Sequence, residues 1–132
     1  MKCQCCENVL VREQDFLICR NCKAIFTSPD TYTDYNKLVA RTQEVVNDFQ
    51  EFLLQHNDVL HNLTQKKISG KELSQDEIEI IEFSEKFLKA RIDFLGLPHD
   101  TSLFCRKVMY TLLVEIQENI PQIKEKIKNT NI

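Results

Sequence analysis

Five cysteines crowd the first 22 residues of the chain, as Cys3-Gln4-Cys5-Cys6 and, twelve residues later, Cys19-Arg20-Asn21-Cys22. Two Cys-x-x-Cys pairs at this separation can bring four thiolates to the corners of one tetrahedron, which is what Zn²⁺ or a rubredoxin-like iron centre requires. A dithiol redox site is the competing chemistry, but such sites normally come singly and precede a helix in a βαβ unit. A filled four-sulfur shell leaves no position for water, so the pattern speaks for a structural metal and against metal-assisted hydrolysis. The sixth cysteine, Cys105, is read as a buried small hydrophobe; a Cys105–His99 pair would lack the oriented third group that nucleophilic catalysis needs.

The cysteines must be held by what lies between them. Val9-Leu10-Val11-Arg12 and Phe16-Leu17-Ile18 flank the polar turn Glu13-Gln14-Asp15, and Ala24-Ile25-Phe26-Thr27 follows the second knuckle. Three short β-prone runs alternating with two cysteine turns predict a small sheet. Over residues 3 to 27 this arrangement resembles the zinc-ribbon superfamily. The resemblance implies Cys3, Cys6, Cys19 and Cys22 as ligands of one structural Zn²⁺ per chain. Cys5 departs from the ribbon pattern by offering a rival thiol; Cys3 with Cys6 keeps the loop spacing and leaves Cys5 spare. So few residues bury too little to hold a sheet together, and structural zinc contributes on the order of 10–16 kcal/mol in small peptides.

The remainder reads as helices. From Thr33 to Thr64 there is no Gly or Pro, and Leu38, Thr42, Val45, Phe49, Phe52, His56, Val59 and Leu63 recur at spacings of four and three. That is the rhythm of a helical seam, widened by Val39, Val46, Leu53 and Leu60. Thirty residues would make a rod of about 45 Å. His56 and His61, five apart, share a helix face poorly and do not read as a metal pair. A polar, Gly70-containing connection turns the chain back, and Ser74-Gln75-Asp76-Glu77 is a capping box opening a second helix that Gly96 and Pro98 close. This helix carries two apolar stripes on nearly opposite sides: Ile80, Phe83, Phe87, Ala90 and Phe94, and Ile78, Ile81, Leu88, Ile92 and Leu95. In a monomer one of them, taken as Phe83, Phe87 and Phe94, is expected to lie exposed and so to pair with a second chain; the alternative is that the first and third helices flank the second and bury both stripes. The third helix follows the His99-Asp100-Thr101 cap, with Cys105, Met109, Leu112, Leu113, Ile116, Ile120, Ile123 and Ile127 on one face, and Pro121 should kink or restart it. Glu72 to Glu85 holds six acidic residues and no basic one, read as a solvated face with favourable charges at a helix start.

The expected architecture is therefore small α+β: a Cys₄ zinc ribbon over 1–28, then a mainly α, three-helix antiparallel domain over 29–132. Its helices are placed at about 33–64, 75–95 and 101–129, the first one long. With 132 residues, a formal charge of -3 and only two glycines, the chain lacks a general basic footprint for nucleic acid and the glycines of a phosphate-binding loop. No catalytic residues are assigned and an enzyme is not expected. No membrane span or leader is read, and paired thiols suit a reducing cytoplasm. The leading expectation is a small zinc-binding interaction protein, a protein–protein adaptor or regulator, whose helices bind a protein partner or pair as a homodimer. The ribbon-then-helices layout also resembles antitoxin-type regulators that join a ribbon to a helix-turn-helix, with Leu95-Gly96-Leu97 as the turn and Thr101-Ser102-Leu103-Phe104-Cys105-Arg106 as the recognition helix. That resemblance implies DNA binding, the alternative. Ile92 stands where the motif wants a small residue, and Pro98 and His99 lengthen the turn.

Overall fold

The computed structural model describes residues 1–13, 16–26 and 32–130. Gln14 and Asp15 of the first turn, Thr27 at the end of the third β-prone run, and residues 28–31 lie outside the described residues. The chain has the small α+β architecture expected of it. Strands β1 (Val11–Glu13), β2 (Phe16–Cys19) and β3 (Ala24–Phe26) form an antiparallel sheet in sequence order. Helices α1 (Tyr32–Gln55), α2 (Asn57–Ile68), α3 (Gln75–Leu95), α4 (Leu103–Tyr110) and α5 (Ile120–Lys128) follow.

The alternation of side chains along a strand divides the sheet between two environments. Phe16 and Ile18 of β2 and Ile25 of β3 join the helical core, whereas Leu17, Cys19, Ala24 and Phe26 form a second cluster with Cys3. The register agrees, for Ile18 faces Ile25 while Leu17 faces Phe26 and Cys19 faces Ala24. All four residues of β2 are buried because both faces are covered.

The helix read as one run over 33–64 is two. His56 leaves helical geometry (φ -114°, ψ 27°), and its ring stacks on Phe52 at 4.2 Å while Nδ1 lies 3.0 Å from the Phe52 carbonyl. A side chain engaging the carbonyl ladder is a recognised cause of a helix break. The seam survives it: Leu38, Thr42, Val45, Phe49, Phe52, Val59 and Leu63 are all buried. Gly70, at φ +75°, then makes the connection to α3 in a conformation that costs glycine nothing.

α3 begins as read, with Ser74 Oγ accepting from Glu77 N–H and Glu77 Oε1 accepting from Ser74 N–H. One expectation about it is corrected. The phenylalanine stripe is the covered one, Phe87 and Phe94 being fully buried and Phe83 partly, because Phe49 of α1 meets Phe83 and Phe87 edge-on at 5.6 and 4.8 Å. Leu88, Ile92 and Leu95 of the other stripe lie exposed. The acidic first half of α3 is largely paired: Lys66 of α2 holds Glu77, Lys67 reaches Glu85, and Lys126 of α5 binds Asp76 and Glu79.

The third helical run is irregular. After α4 comes a π-helical turn, Thr111–Ile116, then a 3₁₀ turn, Gln117–Asn119, and α5 restarts with Pro121 in its first turn. Proline lacks an N–H and crowds the carbonyl four residues back, so the chain tightens before it. The wide turn buries Leu112, Leu113, Val114 and Ile116 together, more than a regular helical face allows. Leu113 and Val114 line a cleft against Phe16, Ile18 and Ile25 of the sheet, so this turn adds to the packing of α4 along β3 where helices and sheet meet.

Candidate metal centre

Two knuckles of the same construction frame the site. Lys2 and Val9 form an isolated antiparallel bridge, inside which Cys3 N–H donates to the Asn8 carbonyl (2.7 Å) and Glu7 N–H to the Cys3 carbonyl (3.0 Å). The second knuckle turns the chain from β2 into β3. In each, the residue after the second cysteine takes the left-handed conformation, Glu7 at φ 63° and Lys23 at φ 57°. Non-glycine residues adopt it at a cost of roughly 1–2 kcal/mol, which a constraint must offset. Sequence reading missed both positions, since only a glycine would have flagged them.

The consequence is convergence of Cys3, Cys6, Cys19 and Cys22. Their Sγ atoms all lie within 4.8 Å of one another, with Cys3–Cys22 and Cys6–Cys19 at 3.4 Å, Cys6–Cys22 at 3.5 Å and Cys19–Cys22 at 3.2 Å. A zinc–sulfur length of 2.3 Å implies tetrahedral edges of about 3.8 Å, so the donor set fits one ion of this size after small adjustments. Cys3 and Cys19 are buried, Cys6 and Cys22 partly so, and Cys5, exposed, contributes no sulfur to the group.

Surrounding amides tune the sulfurs. Cys5 N–H donates to Cys3 Sγ at 3.4 Å, Cys22 N–H to Cys19 Sγ at 3.5 Å, and the Asn8 carboxamide to Cys6 Sγ at 3.2 Å. The Asn8 side chain, followed by its backbone N–H, brings Cys6 down to about 5, so that it is a thiolate at neutral pH. Burial pushes Cys22 up first, then its hydrogen bonds with Cys19, Cys3 and Cys6, and last the repulsion from Cys19. A divalent cation removes that repulsion, and such a cluster therefore binds metal with release of protons. Asn8 is a further residue that spacing alone did not mark.

The sheet is tied to the helices around this centre. Lys23 Nζ reaches Glu115 of the π turn at 2.7 Å, and Glu115 also holds Lys86 of α3 at 3.0 Å. Arg106 of α4 lies over the Phe26 ring at 4.6 Å. Arg106, the last residue of the run that resembles a recognition helix, is thus directed at the sheet, and α4 packs along β3. His56 and His61 are not brought together as a site, the first serving the helix break and the second standing exposed. Cys105 is fully buried and donates to Asp100 Oδ1 at 3.2 Å, while His99 packs edge-on against Phe94. Among the described residues no helix is long and apolar enough to cross a membrane. Comparison with protein families, with curated proteins and with solved structures gives no match.

Proposed function

We propose that this chain is a small, non-catalytic zinc protein of a reducing cytoplasm, whose metal builds the sheet and whose helices bind a protein partner, in the first instance a second copy of the chain. The observation that carries the reading is the unpaired stripe of α3. Leu88, Ile92 and Leu95 are 43%, 67% and 53% exposed on one helix face, while the opposite stripe is buried. Removing such area from water contributes about 25 cal/mol per Å². Glu85 and Arg91 flank it on either side at helical spacing with charges of opposite sign, a rim that suits a self-complementary contact.

Sedimentation equilibrium at micromolar concentration tests the pairing. A dimer is expected, and Ile92→Glu should return it to one chain. A single-chain mass at all concentrations in the wild type would overturn self-association and leave a different protein as the partner of the same stripe. The zinc half is tested separately by elemental analysis of reductively purified protein, where one equivalent is expected and less than half an equivalent of zinc or iron overturns it.

A further inference from the structure

We propose that the cleft between the sheet and the π turn is a binding site for a small primary amine with an aromatic or aliphatic body. The cleft encloses about 300 Å³. That is the lower end of the roughly 300–1,000 Å³ range of small-molecule sites, which favour the junctions between structural units. Leu88, Ile92 and Leu95 of the α3 stripe do not line it, so it is separate from the face proposed for pairing. It depends on the metal only through the sheet that forms one wall.

The walls are apolar on both sides. Phe16, Ile18 and Ile25 come from the sheet and Leu113 and Val114 from the helices, all of them more than nine-tenths buried. Packing therefore fixes these walls before a ligand arrives, which lowers the cost of binding one. Leu113 and Val114 are consecutive in sequence, and both line the cleft because the chain takes the π turn Thr111–Ile116 there. Single π turns recur at functional sites. Pro121 adds a rigid ring to the lining.

The charge of the lining selects the ligand. Its ionisable residues are Glu13 and Glu118, both acidic, accompanied by the Gln117 carboxamide. Arg20 pairs with Glu13, whereas Glu118 is exposed and has no basic partner among the described residues. The uncompensated charge of the cleft is therefore negative. An ammonium group brings three N–H donors, enough for the Glu118 carboxylate and the Gln117 carbonyl together, while the apolar body lies against Phe16, Leu113 and Val114. A carboxylate in the same place is repelled, and a neutral group leaves the Glu118 charge unused.

The experiment uses the full-length chain, purified in reductant with isotope-labelled Ile, Leu and Val methyl groups, and zinc is measured on the same sample. Phenethylamine is titrated in and followed by NMR, beside phenethyl alcohol and phenylacetate, which keep the ring and replace the ammonium with a neutral or an anionic group. Expected are saturable shifts of the Ile18, Ile25, Leu113 and Val114 methyls, with a Kd for the amine on the order of 1 mM. The alcohol should bind about fivefold more weakly, and the acid more weakly still. Glu118→Gln should weaken the amine about fivefold and leave the alcohol unchanged. Glu125→Gln, at an exposed glutamate of α5 that does not line the cleft, should change neither. The proposal is overturned by the absence of saturable shifts with the amine, by shifts centred on Leu88, Ile92 and Leu95, by equal binding of the three compounds, or by an amine affinity that Glu118→Gln leaves unchanged. Amine binding by protein that lacks zinc upholds the cleft and fails the metal reading, whereas no binding by protein that holds one equivalent of zinc fails the cleft alone.

Discussion

The sheet and the helical core bury comparable side chains under very different constraints. Strands of three and four residues place Leu17, Cys19, Ala24 and Phe26 on one face, a cluster far too small to order a chain. In α1 alone, Leu38, Val46 and Phe49 are buried along 24 residues, each backed by residues from other helices. On the zinc reading proposed above, the first region depends on four sulfurs holding an ion, whereas the second depends on its periodicity. Yet they are not stacked as strangers, because Phe16, Ile18 and Ile25 pass through the sheet into the helical core. The difference lies in what each region fails without.

The largest expected effect follows from removing a ligand. Cys19 is fully buried at the end of β2, its sulfur 3.4 Å from Cys6 and 3.2 Å from Cys22. Cys19→Ser should abolish stoichiometric zinc and, with it, stabilisation on the order of 10–16 kcal/mol that the sheet cannot replace. The dispersed amide resonances of residues 1–26 should collapse in NMR spectra. Far-UV circular dichroism should keep its helical form, with a melting temperature lower by on the order of 20 °C because Phe16, Ile18 and Ile25 leave the core, each worth about 1.5–3 kcal/mol. Full zinc retention would break the comparison at its root, and so would loss of all helical signal.

The complementary break is Phe49→Ala. Phe49 is 1% exposed and contacts Phe52, Phe83 and Phe87, so its removal should cost about 3–5 kcal/mol. The denaturant midpoint should fall accordingly while native protein still binds one zinc. Parallel loss of zinc at concentrations where the helices remain folded would show that the two regions do not divide in this way.

How far the chain could be read in advance follows the same division. Knuckle spacing identified the four converging sulfurs and the spare, because tetrahedral coordination demands both pairs. The capping box and Gly96 placed α3 to the residue, since Ser74, Glu77 and Gly96 act through their own backbone neighbours. The break at His56 was not legible: no Gly or Pro marks it, and the cause is a contact with Phe52 that periodicity does not encode. Which stripe of α3 would be covered also depended on partners in α1, so Phe87 rather than Ile92 went inside for reasons of assembly. The π turn at Thr111–Ile116 escaped because the same apolar residues suit a regular helix, and only the sheet's need for Leu113 and Val114 distinguishes them. Glu7 and Lys23 hid a left-handed turn that a glycine would have announced.

The smallest expected effect sharpens the comparison, because it belongs to the helices alone. Ser74→Ala removes the hydroxyl that accepts from Glu77 N–H and should cost about 1 kcal/mol, by the same amount in zinc-loaded and zinc-stripped protein. Glu77 supplies the other half of the cap. The Ser74 N–H, and next the Lys66 ammonium at 2.9 and 3.0 Å, hold its carboxyl below the ordinary 4.5. A carboxylate with a depressed folded-state value stabilises the fold above its unfolded value, and that contribution disappears as pH falls through the folded value. Wild-type helices should therefore lose stability below about pH 4.5, whereas Glu77→Gln, which keeps an acceptor for Ser74 N–H but no charge, should lose less over that window. Protonation of the cysteine cluster would also release zinc in acid, so the measurement belongs on the zinc-stripped chain, followed by helical circular dichroism. An identical acid response in the wild type and Glu77→Gln would remove Glu77 from the account, and a Ser74→Ala cost that appears only with zinc bound would place the start of α3 under the control of the metal.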